Sequence, residues 1–122
     1  MNIESLPILE NPIFLISILC GISYAIAGVI MYKFPPDSIN YLYGYRTINS
    51  MENQEKWDFA QIYSSKVLIQ AGILLILISF IGFLYQPDEI TGLIIALSIL
   101  IAVTIGIFLK VEIALKKKFN KK

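Results

Sequence analysis

Arg46, Trp57 and four tyrosines (Tyr41, Tyr43, Tyr45 and Tyr63) are gathered in one polar stretch, residues 40–66, of an otherwise apolar chain. A guanidinium fork suits an oxyanion, whether lipid phosphate, loop carboxylate or peptide carboxylate. Indole and phenol rings pair an apolar body with one polar tip, which suits a docking face or the headgroup level of a bilayer. Catalysis has fewer parts to work with. No histidine exists to activate a serine, and Glu52, Glu55 and Asp58 read as a solvated helix face. Cys20 is the single cysteine, so the sequence offers neither an internal disulfide nor a Cys/His set for zinc. It also has no glycine-rich phosphate cradle. The expectation is a non-enzyme that uses no cofactor and no metal.

The elements around this stretch belong in lipid. Of 122 residues, 57% are hydrophobic and the mean hydropathy is +0.70, beyond the usual range of a soluble domain. The length points to one domain, and a net charge of +1 argues against nucleic acid as a partner. Asn11-Pro12 supplies a helix N-cap followed by proline at the first helical position. The first apolar span, 13–34, is about 33 Å long as a helix, enough to cross a hydrocarbon core. Ala25-Ile26-Ala27 resembles a cleavage site, but the leading segment is acidic and the apolar run continues past it, which argues against a signal peptide. Pro35-Pro36-Asp37 stops the span. A second span covers 67–85, with Gln70 placed for an interhelical hydrogen bond. Gln86-Pro87-Asp88-Glu89 forms a turn in which Asp88 caps a third span, 90–109. A basic tail, 110–122, carries six lysines and one glutamate.

The fold class expected is therefore an all-α integral membrane protein with three transmembrane helices and a cytoplasmic loop helix between the first and second. All ten basic residues lie on the side of the 40–66 loop and the C-terminus, or at its boundary. By the positive-inside rule the loop and tail face the cytoplasm and the N-terminus lies outside. No ionisable side chain sits deep in a span, which argues against a pump or antiporter. Ser17, Gly21, Ala25 and Gly28 share one face of the first span, while Gly92/Ala96 and Ala102/Gly106 are spaced four apart in the third. Such small residues mark close helix contacts, either within one three-helix unit or along a homodimer seam.

The loop divides in two. Residues 40–47 place Tyr41, Tyr43 and Tyr45 around Gly44 in an extended or turning segment at the headgroup level, where the turn would aim Arg46 at an anion. An ordinary aromatic belt accounts for Tyr41 and Tyr43 on its own. Residues 51–65 read as a helix capped by Asn49 or Ser50, with Glu52 and Lys56 as a favourable pair four apart. Asn53, Ala60 and Ser64 fall beside Trp57, so the indole stands over a shallow face that docks either on the protein's own spans or on a partner. This helix either lies flat on the bilayer or extends the second span.

Asn40, Tyr43, Gly44, Tyr45, Arg46, Thr47, Ser50, Met51, Asn53, Trp57 and Ala60, in this register after one span and before two more, resemble the SdpI family of bacterial membrane proteins. The family is named for immunity to a secreted toxic peptide. Ile48 stands where many members have proline, and the better-known immunity form is longer, with additional spans before this module. The resemblance implies a bacterial cytoplasmic-membrane protein giving resistance to a membrane-active peptide, with the 40–66 loop as the recognition motif. The alternative is a membrane-tethered signalling module that holds a cytoplasmic regulator, such as a small repressor, through the same loop. Either way the C-terminal lysines anchor the third helix to anionic lipid.

Overall fold

The computed structural model describes residues 7–119. The acidic leader 1–6 and the last lysines, Lys121 and Lys122, lie outside the described residues. After a short 3-10 turn at Pro7–Glu10 come α1 (Pro12–Lys33), α2 (Gln54–Ser79), a second 3-10 turn at Phe80–Phe83, and α3 (Glu89–Phe119). The described residues contain no strand. All three helices are long and apolar enough to cross a membrane, and no more than a third of each apolar window is buried inside the protein. The faces left open carry Leu19, Ile26, Leu77, Ile94 and Ile101, the surface of a protein solvated by hydrocarbon.

The helix starts follow local chemistry. Asn11 caps α1, its Oδ1 accepting from Ile13 N–H at 3.0 Å. The same buried side chain donates through Nδ2 to Gly82 O at 2.9 Å and Tyr85 O at 3.0 Å, tying the start of α1 to the end of the second span. The carbonyls it satisfies are left without helical donors where α2 gives way to the 3-10 turn. Asp88 caps α3 through Thr91 N–H at 3.2 Å. The cap of α2 differs from the expected Asn49 or Ser50. It is Asn53, which accepts from Lys56 N–H at 2.8 Å, so the helix begins at Gln54. Asn49 and Ser50 are committed elsewhere in the loop, as described below.

From Gln54 the helix continues as one rod into the membrane, so the motif helix extends the second span instead of lying flat. α3 likewise continues beyond the expected span to Phe119. Its 31 residues measure about 46 Å at 1.5 Å each, longer than the ~30 Å core. Val111 and Leu115, one turn apart in the lysine-rich segment, are fully buried and extend the packed seam past the last lipid-facing turn.

Small residues bring α1 and α2 together. A Cβ added at Gly72 would lie 2.6 Å from both Ala25 N and Gly21 O, so only glycine permits this crossing. Gly21 and Gly28 face α2 in the same way, against Ile76 and Ile69. Buried Ser64, Ser65 and Ser79 return their hydroxyls to their own helix, to Gln61 O, Ile62 O and Ile76 O. They therefore pack as small, self-satisfied residues. Gly92 and Ala96 are buried in α3. The other pair on α3 faces outward, with no atom within 4 Å of a Cβ at Gly106. Gln70 finds its partner across helices, accepting from Lys110 Nζ at 3.1 Å.

Candidate functional site

Residues 34–53 fold back over the end of the bundle, and nearly every motif side chain is spent in holding that fold. Asn40 builds the first turn. Its Oδ1 accepts from Leu42 N–H at 2.9 Å and Tyr43 N–H at 2.8 Å, and its Nδ2 donates to Ser38 O at 2.9 Å. The Tyr43 hydroxyl then donates to Phe34 O at 2.6 Å, closing the open end of α1.

Gly44 follows with φ +115°, a left-handed conformation that glycine adopts without cost. Space also demands glycine, because a Cβ there would meet Gln61 Oε1 at 2.5 Å and Pro36 Cγ at 2.7 Å. The contact with Gln61 matters because this buried amide clamps the next residue on both sides. Gln61 Oε1 accepts from Tyr45 N–H at 2.7 Å, and its Nε2 donates to Tyr45 O at 2.9 Å. A side-chain amide thus pairs with a backbone unit as a neighbouring strand would. Sequence reasoning missed Gln61. Its only signal was a lone amide one turn beyond Trp57, on the small-residue face.

Thr47 and Ser50 lock the second turn reciprocally. Thr47 N–H donates to Ser50 Oγ at 2.9 Å and Ser50 N–H to Thr47 Oγ1 at 3.1 Å. The fully buried Ser50 hydroxyl also reaches Tyr45 O at 3.3 Å and Thr47 O at 3.1 Å. Ile48, at the tip of this turn, is 97% exposed, and the turn closes without proline at that place. Trp57 is fully buried and its Nε1 donates to Pro36 O at 2.9 Å. The indole therefore docks on the protein itself and shares no surface with Arg46. Ala60, beside it on α2, is also fully buried.

A polar chain ties the loop to α3. Lys56 pairs with Glu52 at 2.8 Å and donates to Asn49 Oδ1 at 3.2 Å, while Asn49 Nδ2 lies 3.5 Å from Glu112 Oε2. Tyr45 is buried with its ring 5.6 Å from that of Phe108, one turn before Glu112. Among the described residues its hydroxyl makes no well-formed hydrogen bond. Burial first, and the negative charge of Glu112 second, push the phenol above its ordinary value of 10.0. Glu112 was also missed, being a single acid in a lysine-rich segment whose partners lie 63 residues away.

Arg46 is the exception among the motif residues. It is exposed, and among the described residues its guanidinium makes no hydrogen bond and no ion pair. It stands at the edge of a cleft of about 330 Å³ between the loop and all three helices, lined by Met31, Leu68, Ile107 and Phe108. The loop carboxylates are not its partners. The arrangement offers a binding surface: among the described residues, the unpaired Arg46 guanidinium borders a largely apolar cleft. No group of three or more metal-ligating side chains occurs among the described residues.

This framework agrees with the comparisons to known proteins. A stretch of 50 residues is 46% identical to the uncharacterized protein YfhL of Bacillus subtilis (strain 168), covering 41% of this chain and 46% of YfhL. The aligned region is thus about half the length of that relative. No solved structure matches the chain. A family model matches residues 37–110, from the loop that carries the motif through α2 and most of α3. With three helices fit to span a bilayer, the chain is a multi-pass membrane protein, and it belongs to the SdpI/YfhL protein family.

Proposed function

We propose that this protein is an immunity protein, residing in the bacterial cytoplasmic membrane and protecting its host against a secreted, membrane-active toxic peptide. The family match over residues 37–110 carries the reading, because it covers the whole of the motif loop. Residues 40–66 are the recognition motif, and we assign the ligand contact to Arg46, which is exposed and makes no hydrogen bond or ion pair among the described residues. In this reading the N-terminus lies outside and the loop and tail lie in the cytoplasm, which the distribution of lysine and arginine supports. The protein acts by binding within the membrane, without catalysis. Expression in a sensitive bacterium, followed by challenge with the toxic peptide, tests it: survival should rise with expression, and unchanged killing at full membrane levels would refute it.

A second reading, a docking module for a cytoplasmic regulator such as a small repressor, has its own observation. Leu42 and Ile48 on the loop are 93% and 97% exposed, two apolar side chains that the protein leaves uncovered. Ile48→Ser removes such a contact without touching the fold, whereas replacing buried Trp57 would disrupt the loop itself. A regulator held by the wild type and released by Ile48→Ser would favour this reading.

A further inference from the structure

From the cleft beneath Arg46 we infer a binding site for one chain of an anionic phospholipid, with the phosphate on the guanidinium. Of the hydroxyls in the wall, those of Tyr24, Thr104 and Ser64 are already satisfied, and that of Tyr45 is the exception among the described residues. The Tyr24 hydroxyl and Thr104 Oγ1 are 2.6 Å apart, and Ser64 Oγ donates to Gln61 O. What else lines it is apolar surface from Met31, Leu68, Ile107 and Phe108, plus the Arg46 guanidinium at the loop. Met31 and Tyr24 both line the cleft and are seven residues apart on α1, so it runs about 10 Å along the helix axis. An occupant must therefore be apolar along its length and anionic at one end. A helical peptide is about 10 Å across, whereas an acyl chain is a single file of methylenes. An extended peptide would bring a backbone N–H and C=O at every residue to a wall that offers one unpaired phenol. An acyl chain brings none, and a phosphate matches the planar donor fork of arginine. This site stands whether or not the protective role does.

The test is native mass spectrometry of the purified full chain in a zwitterionic detergent, with phosphatidylglycerol, phosphatidylcholine or inorganic phosphate added. Phosphatidylglycerol should be retained at least tenfold better than phosphatidylcholine, and inorganic phosphate should not be retained. Arg46→Gln, which removes no hydrogen bond or ion pair among the described residues, should abolish that preference, and Arg46→Lys should keep part of it. Leu68→Trp, which fills the cleft, should weaken retention of phosphatidylglycerol while helix content by circular dichroism stays that of the wild type. The Lys116→Gln, Lys117→Gln, Lys118→Gln triple variant reports general attraction to anionic lipid and should keep the preference. Equal retention of the two lipids, an unaltered preference in Arg46→Gln, or loss of it in the lysine variant alone would overturn the inference. Retention of inorganic phosphate as strong as that of the lipid would do so too, since the cleft would then contribute nothing.

Discussion

Gln61→Leu isolates the clamp on which the motif loop depends. The substitution keeps side-chain size but removes both bonds to Tyr45, the 2.7 Å acceptor for its N–H and the 2.9 Å donor to its carbonyl. The carbonyl retains Ser50 Oγ at 3.3 Å, so its loss is a net bond of about 0.5–1.5 kcal/mol. The Tyr45 N–H is left buried without a partner, which costs a further ~1–3 kcal/mol. Loop closure should therefore weaken by about 1.5–4.5 kcal/mol, a change of roughly tenfold or more in the open population. Trypsin reads this directly. Arg46 is exposed, but the backbone around its scissile bond is held by Gln61 before it and by Ser50 after it, so cleavage awaits opening. Under conditions where reclosing outpaces cleavage, the rate follows the open population and should rise by the same factor. Cleavage after Arg46 at the wild-type rate, with Gln61→Leu inserted normally in the membrane, would refute the clamp.

The remaining expectations concern the frame. Gly72→Val pushes a side chain against the α1 backbone, and backbone cannot yield as a side-chain tip can; thermal midpoints in detergent should fall, reflecting ~1–3 kcal/mol or more. Gly106→Val, with open space around it, should leave the midpoint in place. For pH, the folded phenol of Tyr45 sits above its unfolded value of 10.0. Its stabilising effect is thus complete below about pH 10 and is lost as pH climbs from there, as the unfolded phenol ionises first. Unfolding titrations should show this decline in the wild type and a flatter curve in Tyr45→Phe, which also removes an unpaired buried hydroxyl and should cost little at neutral pH. For sidedness, a cysteine placed at Ile48 in a Cys20→Ser background should resist impermeant thiol reagents in intact cells and react in inverted vesicles.

Much of this was legible because lipid leaves few options. Asn11-Pro12 and Asp88 announced the helix starts through chemistry confined to a few neighbouring residues, and the apolar runs announced the spans. The small residues of α1 also pointed correctly to a close contact, found against Gly72 of the same chain. Misreadings came where a local rule met a distant competitor. Asn49 and Ser50 look like caps, but Asn49 answers Lys56 and Glu112 and Ser50 closes the Thr47 turn, leaving the cap to Asn53. For Trp57 the sequence leaves open docking on the protein itself or on a partner, and Pro36 O, 21 residues earlier, answers for the protein itself. Val111 and Leu115 were hidden among lysines, although their spacing of four marks a buried stripe. The motif was recognisable as a string of residues, but its sorting into scaffold and free cation depends on Gln61, whose contact with Tyr45 crosses 16 residues.

The most direct test of the whole account is survival of a sensitive bacterium carrying either the wild-type chain or Arg46→Gln, matched for membrane level and challenged with graded toxic peptide. If the motif is a scaffold presenting one guanidinium, the wild type should protect and Arg46→Gln should die at the doses that kill cells lacking the protein. Full protection by Arg46→Gln would contradict it.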